Sequence, residues 1–293
     1  MNGRTREEER ALLRAHVAAA LAEDGAGHDL TSAVGLPPGA RGTAVVVAGA
    51  AGVLAGTEAA GLAFRLRSPY LRVARLRRDG ARVRRGTPVL RVSGPAAAVL
   101  SAERTALNYL GHLSGIATLT ARCVAGLRGT RVTLLDTRKT TPLLRVLEKA
   151  AVRAGGGANH RMGLHDAVLL KDNHVRAAGG PAAAVARARA GLERLGRPRV
   201  MLELEVQSLA ELRAAVGLPV DRIMLDNFPL AQLRPALALL ARVPRRRRPQ
   251  VEVSGGITLA GIRRHALSGV DFISAGALTH SAPALPFSLD WLR

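Results

Sequence analysis

Residues 134–174 read LLDTRKTTPLLRVLEKAAVRAGGGANHRMGLHDAVLLKDNH, and their rhythm decides the architecture. An apolar strand ends near Thr137. A helical run follows, with Thr141 as the expected N-cap, Pro142 at its first position and glycines after its end. A second apolar strand then finishes at Lys171. Strand, loop, helix, strand is the repeating unit of a parallel sheet. Arg138, Lys139, His160, Arg161, Lys171 and His174 lie in or beside segments that otherwise read as buried, so several cations gather where the strands end.

The same rhythm continues outward. Candidate strands are 131–137, 166–172, 199–206, 221–227, 249–255 and 270–276, with Ala-rich helical stretches between them. Strands that are continuously apolar imply a sheet covered on both faces. Six such units suggest a barrel, and an incomplete one. Upstream, the opening stretch MNGRTREEERALLRAHVAAALAEDG reads as a helix and not a signal peptide. Short Val-rich strands then alternate with Gly-Pro turns to about Pro95, as in a compact α+β unit. A long helix from Ala96 to about Leu127, interrupted by Gly111 and Gly115, connects the two architectures.

The 293 residues carry 43 Lys and Arg against 22 Asp and Glu, a net charge of +21, which raises nucleic acid or an anionic membrane as a partner. The distribution argues for a solvated Arg-rich surface, because neither basic concentration, 65–86 or 242–248, interleaves aromatics with its cations. The expectation is no nucleic acid and no membrane. Cys123 is the only cysteine, so no intrachain disulfide forms and a cytoplasmic location is expected.

Polar residues cluster at the predicted carboxyl ends of the strands: Arg138 and Lys139, Lys171, Glu205, Asp226, Ser254 with Gly255 and Gly256, and Gly276. In a β/α barrel these ends meet at one mouth, where the last two strands commonly hold a phosphate. The glycine-rich ends SGGIT and SAGALTH let backbone N–H groups approach phosphate oxygens closely. Lys139 and Lys171 act as point charges suited to phosphate or pyrophosphate, whereas Arg138 and Arg161 offer planar forks suited to carboxylates. The competing reading pairs Arg161 and Lys171 with Asp166 and Asp172. Glu205 and Asp226 stand at the tips of central strands, where carboxylates can hold ribose hydroxyls, orient a hydrated Mg²⁺ or stabilise positive charge developing on a sugar carbon. Glu203, two residues earlier on the same face, is the alternative to Glu205. His160, His165 and His174 lack metal-ligand spacing; His160 reads as an anion contact and His174 as a loop group.

The segments DTRKTTP (136–142), LEKAAVRAGGGANHRMGLHDAVLLKDNH (147–174), LELEVQSL (202–209), MLDNF (224–228), VEVSGGIT (251–258) and ISAGALTHSAPALPFSLD (273–290) together resemble the quinolinate phosphoribosyltransferase family of NAD biosynthesis. Residues 28–56 and 101–118 are similar to the family's N-terminal domain and linking helix. The resemblance implies an α/β protein with an open α/β barrel of seven strands at 114–275. An N-terminal α/β sandwich at 1–113 would be completed by a returning segment at 276–293. It implies a homodimer, or a higher homo-oligomer, with shared active sites. Quinolinate would meet Arg138, His160, Arg161 and Lys171, with Arg104 reaching in from the partner. Phosphoribosyl pyrophosphate (PRPP) would use Lys139, Lys171, Glu205, Asp226, Ser254, Gly255, Gly256, Gly276 and His280, with Mg²⁺ on its pyrophosphate. Lys139, Lys171, Glu205 and Asp226 would be the catalytic set. Leu143 and Ala150 depart from the family pattern, which usually has Gly and Tyr there. The functions left as alternatives are a sugar-phosphate lyase with a Schiff base on Lys171, and an RNA-binding module.

Overall fold

The computed structural model describes residues 6–292. Residues 1–5, where the opening helix was expected to start, and residue 293 lie outside them. Contacts divide the chain into two compact units: one holds residues up to 121, 140–156 and those from 278 onward, and the other holds 122–139 and 157–277.

The first unit begins with α1 (Arg6–Glu23), α2 (Leu30–Gly35), β1 (Arg41–Ala48), β2 (Gly52–Val53) and α3 (Thr57–Arg67). It continues with β3 (Arg72–Arg75), β4 (Arg82–Val83), β5 (Pro88–Pro95) and α4 (Ala96–Gly126). Two helix starts are set by acids. Asp29 accepts the Ser32 N–H at 3.1 Å to cap α2, and Asp79, distant in sequence, accepts from the N–H groups of Gly56 and Thr57 to cap α3. Strand β1 pairs antiparallel with β5, placing Ala44 opposite Val92 and Val46 opposite Leu90, all buried. Gly111 and Gly115 do not interrupt α4. They make room for the chain near Pro283, since a Cβ on Gly115 would overlap the Pro283 carbonyl.

Residues 140–156, expected in the barrel domain, belong to this unit, and so do 114–121. The reason is local packing: Gly155 lies so close to Ala117 on α4 that a Cβ would overlap its carbonyl. Helix α5 (Arg145–Ala154) starts three residues later than Pro142 predicts. Thr141 is not its N-cap. Leu143 adopts φ 66°, in the left-handed region, and the Thr141 N–H is taken by Glu148 Oε2 at 3.2 Å. Glu148 is fully buried, and its other oxygen meets His112 Nε2 at 2.8 Å.

The second unit contains β6 (Thr133–Leu135), β7 (Val168–Leu170), α6 (Asp172–Ala178), α7 (Pro181–Arg194), β8 (Leu202–Val206) and α8 (Leu209–Ala215). After these come β9 (Arg222–Asp226), α9 (Leu230–Ala241), β10 (Gln250–Ser254), α10 (Ile262–His265) and β11 (Phe272–Ser274). All six expected strands are present, each shorter than the apolar run that announced it. They form one parallel sheet in the order β6-β11-β10-β9-β8-β7. Ala158 adds an isolated parallel bridge to Leu135, beside β6. At the strand entrances acids tie neighbours together: Asp221 accepts from Leu202 N–H at 2.7 Å, and Asp271 from Val251 N–H at 2.8 Å. The short helix α11 (Ala277–His280) leads back to the first unit, where β12 (Phe287–Leu292) pairs antiparallel with β1. The four-stranded sheet there runs β12-β1-β5-β3.

Candidate active site

Every strand of the parallel sheet contributes its carboxyl end, or the loop after it, to one cleft. Thr137, Arg138 and Lys139 follow β6, His160 and Arg161 follow the Ala158 bridge, and Lys171 follows β7. Glu205 ends β8, Asp226 and Asn227 end β9, Ser254, Gly255 and Gly256 end β10, and Ser274 ends β11. Ten of the residues expected at the mouth therefore line a single cleft. Gly276 lies just before α11 and is not among the lining residues. Arg104, exposed on α4, and His280, exposed on α11, belong to the first unit. Leu169 and Met224 supply apolar lining that the sequence reading did not name.

The turns after β9 and β10 interlock. Asn227 takes φ 54°, its N–H donates to the Ser254 carbonyl at 2.9 Å, and its amide donates to Asp226 Oδ2 at 2.8 Å. Gly255 has φ 98°, and a Cβ there would overlap the Asn227 side chain, so only glycine fits. The signal for Asn227 was its residue type: Asn tolerates the left-handed region better than other side chains do.

Lys171 finds a different acid from the one the competing reading gave it. Its Nζ stands 3.5 Å from Glu205 Oε2, while Asp172 pairs with Arg176 and Asp166 accepts the backbone N–H groups of Met162 and Gly163. The Lys171 N–H donates to His174 Nδ1 at 3.1 Å, which ties the lysine to the start of α6. Burial raises the Glu205 carboxyl above its ordinary range, Lys171 opposes that, and Asp226 reinforces it. Arg161 donates from Nη1 to the Ala167 carbonyl at 3.1 Å. Burial, and then the nearby Arg138 guanidinium, lower its pKa. Two crowded guanidiniums are a site that an anion relieves.

Beneath the cleft lies a buried ionic cluster. His160 Nε2 is 3.1 Å from Glu203 and 3.5 Å from Glu252, and Arg222 Nη1 donates to the same Glu252 oxygen at 2.8 Å. The Arg222 guanidinium also lies 3.9 Å over the Phe272 ring. Glu203 is therefore not a second sugar-side acid, because its carboxylate is bound up with His160 in the interior. Among the described residues, one ligand atom each of His160, Glu203 and Glu252 lie within 4.8 Å of one another, a spacing that would suit a metal. Arg222 supplies the cation that Glu252 needs, which favours an ionic network.

Residues 29–114 match the model of the quinolinate phosphoribosyl transferase N-terminal domain, and residues 116–290 match that of its C-terminal domain. The chain belongs to this family. It is 42% identical over 266 residues to a nicotinate-nucleotide pyrophosphorylase [carboxylating] of Mycobacterium leprae, covering 90% of this chain and 91% of that protein. It is 40% identical to a probable enzyme of the same name from Bacillus subtilis, over 84% of this chain and 82% of that one. The structure of a nicotinate-nucleotide pyrophosphorylase from Francisella tularensis superposes with TM-score 0.88 at 35% identity, covering 96% of both chains. Among the described residues of this quinolinate phosphoribosyl transferase family member, no helix is long and apolar enough to cross a membrane.

The cluster beneath the cleft makes stability depend on pH. Burial alone would lower the His160 pKa, but Glu203 and Glu252 outweigh it and raise the value from 6.5 to about 9. The Arg161 N–H, 2.8 Å from Nδ1, favours the neutral ring and works against the two acids without cancelling them. A pKa raised on folding stabilises fully below the unfolded value and is lost as pH rises through the folded one. The urea midpoint should therefore fall between about pH 6.5 and about pH 9, and fall less steeply in His160→Gln. Identical slopes in both proteins would rule His160 out as the source.

Proposed function

We propose that this chain transfers the phosphoribosyl group of PRPP to quinolinate, giving nicotinate mononucleotide, pyrophosphate and CO₂ in NAD biosynthesis. The observation that carries this reading is one cleft lined by Arg138, Lys139, Arg161 and Lys171 on one hand and by Glu205 and Asp226 on the other. Such a cleft is built for a polyanion and a dianion together, with acids for transient positive charge. The pyridine nitrogen attacks the ribose carbon while pyrophosphate leaves. The cationic ring then takes up the electron pair released as the neighbouring carboxylate departs as CO₂, and a proton replaces that carboxylate.

In this assignment Arg138 and Arg161 clamp the quinolinate carboxylates with His160. Lys139 and Lys171 hold the phosphates, and the Ser254–Gly256 turn, with Gly276, holds the 5′-phosphate side. Glu205 and Asp226 stabilise the oxocarbenium-like ribose. Mg²⁺ bound to pyrophosphate supplies charge neutralisation, and Glu205 and Asp226, carboxylates at the cleft edge, are the residues that would hold its waters. The transfer of the ribosyl group itself needs few proton-transfer groups.

The six-stranded sheet is read as an open barrel, because Glu203 on β8 and Glu252 on β10, with β9 between them, reach the same imidazole. The first unit is read as the α/β sandwich closed by β12. The working form is a cytoplasmic homodimer in which Arg104 enters the partner's cleft. Neither the lyase reading nor RNA binding has support from the family match.

Incubation with quinolinate, PRPP and Mg²⁺ should release nicotinate mononucleotide and CO₂ in equal amounts, while nicotinate reacts at least about a hundredfold more slowly because one charge-assisted clamp is left empty. Equal rates for the two acceptors would remove the carboxylate-clamp role from Arg138 and Arg161.

A further inference from the structure

Strand β8, Leu202–Val206, is buried along its whole length, yet two of its five residues are glutamates. Glu205 faces the cleft. Glu203, one inward step below, is fully buried and is not among the residues lining the cleft. Burying a carboxylate in an apolar strand is costly unless it is paired, so a reason must lie in its partners. Those partners converge on His160, whose Nε2 is held between Glu203 and Glu252 while its own N–H donates to Asp136 Oδ1 at 2.9 Å. Asp136 is itself fully buried and also receives the Asn159 amide. The His160-Arg161 step is thus gripped at backbone and ring from β8, β10 and the loop after β6, and both residues line the cleft.

The geometry points to Glu203 as a positioning residue: through His160 it holds the carboxylate-binding wall of the cleft in place, without touching substrate. This inference rests on the functional reading above. Glu252 is neutralised by Arg222 at 2.8 Å, whereas Glu203 forms its ion pair with the ring nitrogen of His160 at 3.1 Å, which ties the hold of Glu203 to the histidine. Misplacing a binding group by about 1 Å costs on the order of a hundredfold. The effect should fall on the quinolinate side alone, because Lys171, Glu205 and the Ser254–Gly256 turn are held by other contacts.

The test compares Glu203→Met, which keeps volume and loses the acceptor, with Glu203→Gln, which keeps an oxygen for the Nε2 proton. Glu203→Met should raise KM for quinolinate about ten- to a hundredfold, Glu203→Gln should stay within about threefold, and KM for PRPP should stay within about twofold in both. The double variant Glu203→Met with His160→Ala should be no worse than His160→Ala alone. Equal effects of Met and Gln, a matching rise in KM for PRPP, or multiplying losses in the double variant would each overturn the proposal. Should Glu203→Met fail to fold, NMR of the unaltered chain decides: the His160 Nε2 proton, identified by its loss in His160→Gln, should be shielded from exchange and shifted downfield. A rapidly exchanging proton refutes the pairing. A wild-type chain that ignores quinolinate sinks the functional reading instead, and the NMR result still stands by itself.

Discussion

Arg104→Ala and Lys171→Ala subunits, each nearly inactive alone, should regain about a quarter of wild-type activity when mixed. Arg104 sits on the exposed face of α4, in a different unit from the cleft. In the proposed dimer it serves the partner's cleft, whereas Lys171 serves its own. A mixed dimer then gathers both defects in one site and leaves the other whole. Random exchange makes roughly half of the dimers mixed, each with one working site of two, hence about a quarter of full activity. Native mass spectrometry can establish that exchange took place. With exchange demonstrated and activity still absent, Arg104 acts on its own subunit's cleft or not at all.

Glu205→Ala and Asp226→Ala should each lower kcat by about a hundred- to a thousandfold, the range seen when a group stabilising developing charge is removed. The Kd of quinolinate should move by less than about threefold, because the carboxylate clamps lie on the other side of the cleft's chemistry. Glu205→Ala also leaves the Lys171 ammonium without the carboxylate now 3.5 Å away. Titration calorimetry beside steady-state rates separates the two quantities. Equal losses in both would indicate a collapsed cleft, and unchanged kcat would remove these acids from the reaction.

The cleft was readable in the sequence because its members obey a local rule. A charged or glycine residue ending an apolar run marks a strand tip, and parallel strands place their tips on one side. Lys171, Glu205, Asp226 and Gly255 all follow it. The ionic cluster below obeyed no local rule. Alternation in LELEV and VEVS put Glu203 and Glu252 on inward faces, but their meeting at His160 depends on how the sheet brings β8 and β10 together, and no single segment encodes that. The helix start at Thr141 failed for a related reason. Buried Glu148, seven residues on, draws the Thr141 N–H away, and Leu143 turns left-handed where the family pattern usually has glycine. For a leucine that backbone costs about 1–2 kcal/mol, so the departure noted at this position carries a structural cost that α5 and its contacts must offset.

The pairing of β12 with β1 sets an order on the birth of the protein. Thr43 to Ala48 lie opposite Leu292 to Phe287, so the first sheet to be translated is the last to acquire its edge. At about 5–20 residues per second, β1 leaves the ribosome on the order of ten to fifty seconds before its partner exists. Throughout that interval one side of β1 offers unsatisfied N–H and carbonyl groups beside Val45, Val46 and Val47, the kind of edge that recruits stray strands. In the cleft-bearing unit β6 waits in the same way for β11, but for a shorter stretch of chain, since that unit's strands all precede 278. Synthesis from the amino end thus completes the cleft-bearing half before the leading half gains its last strand.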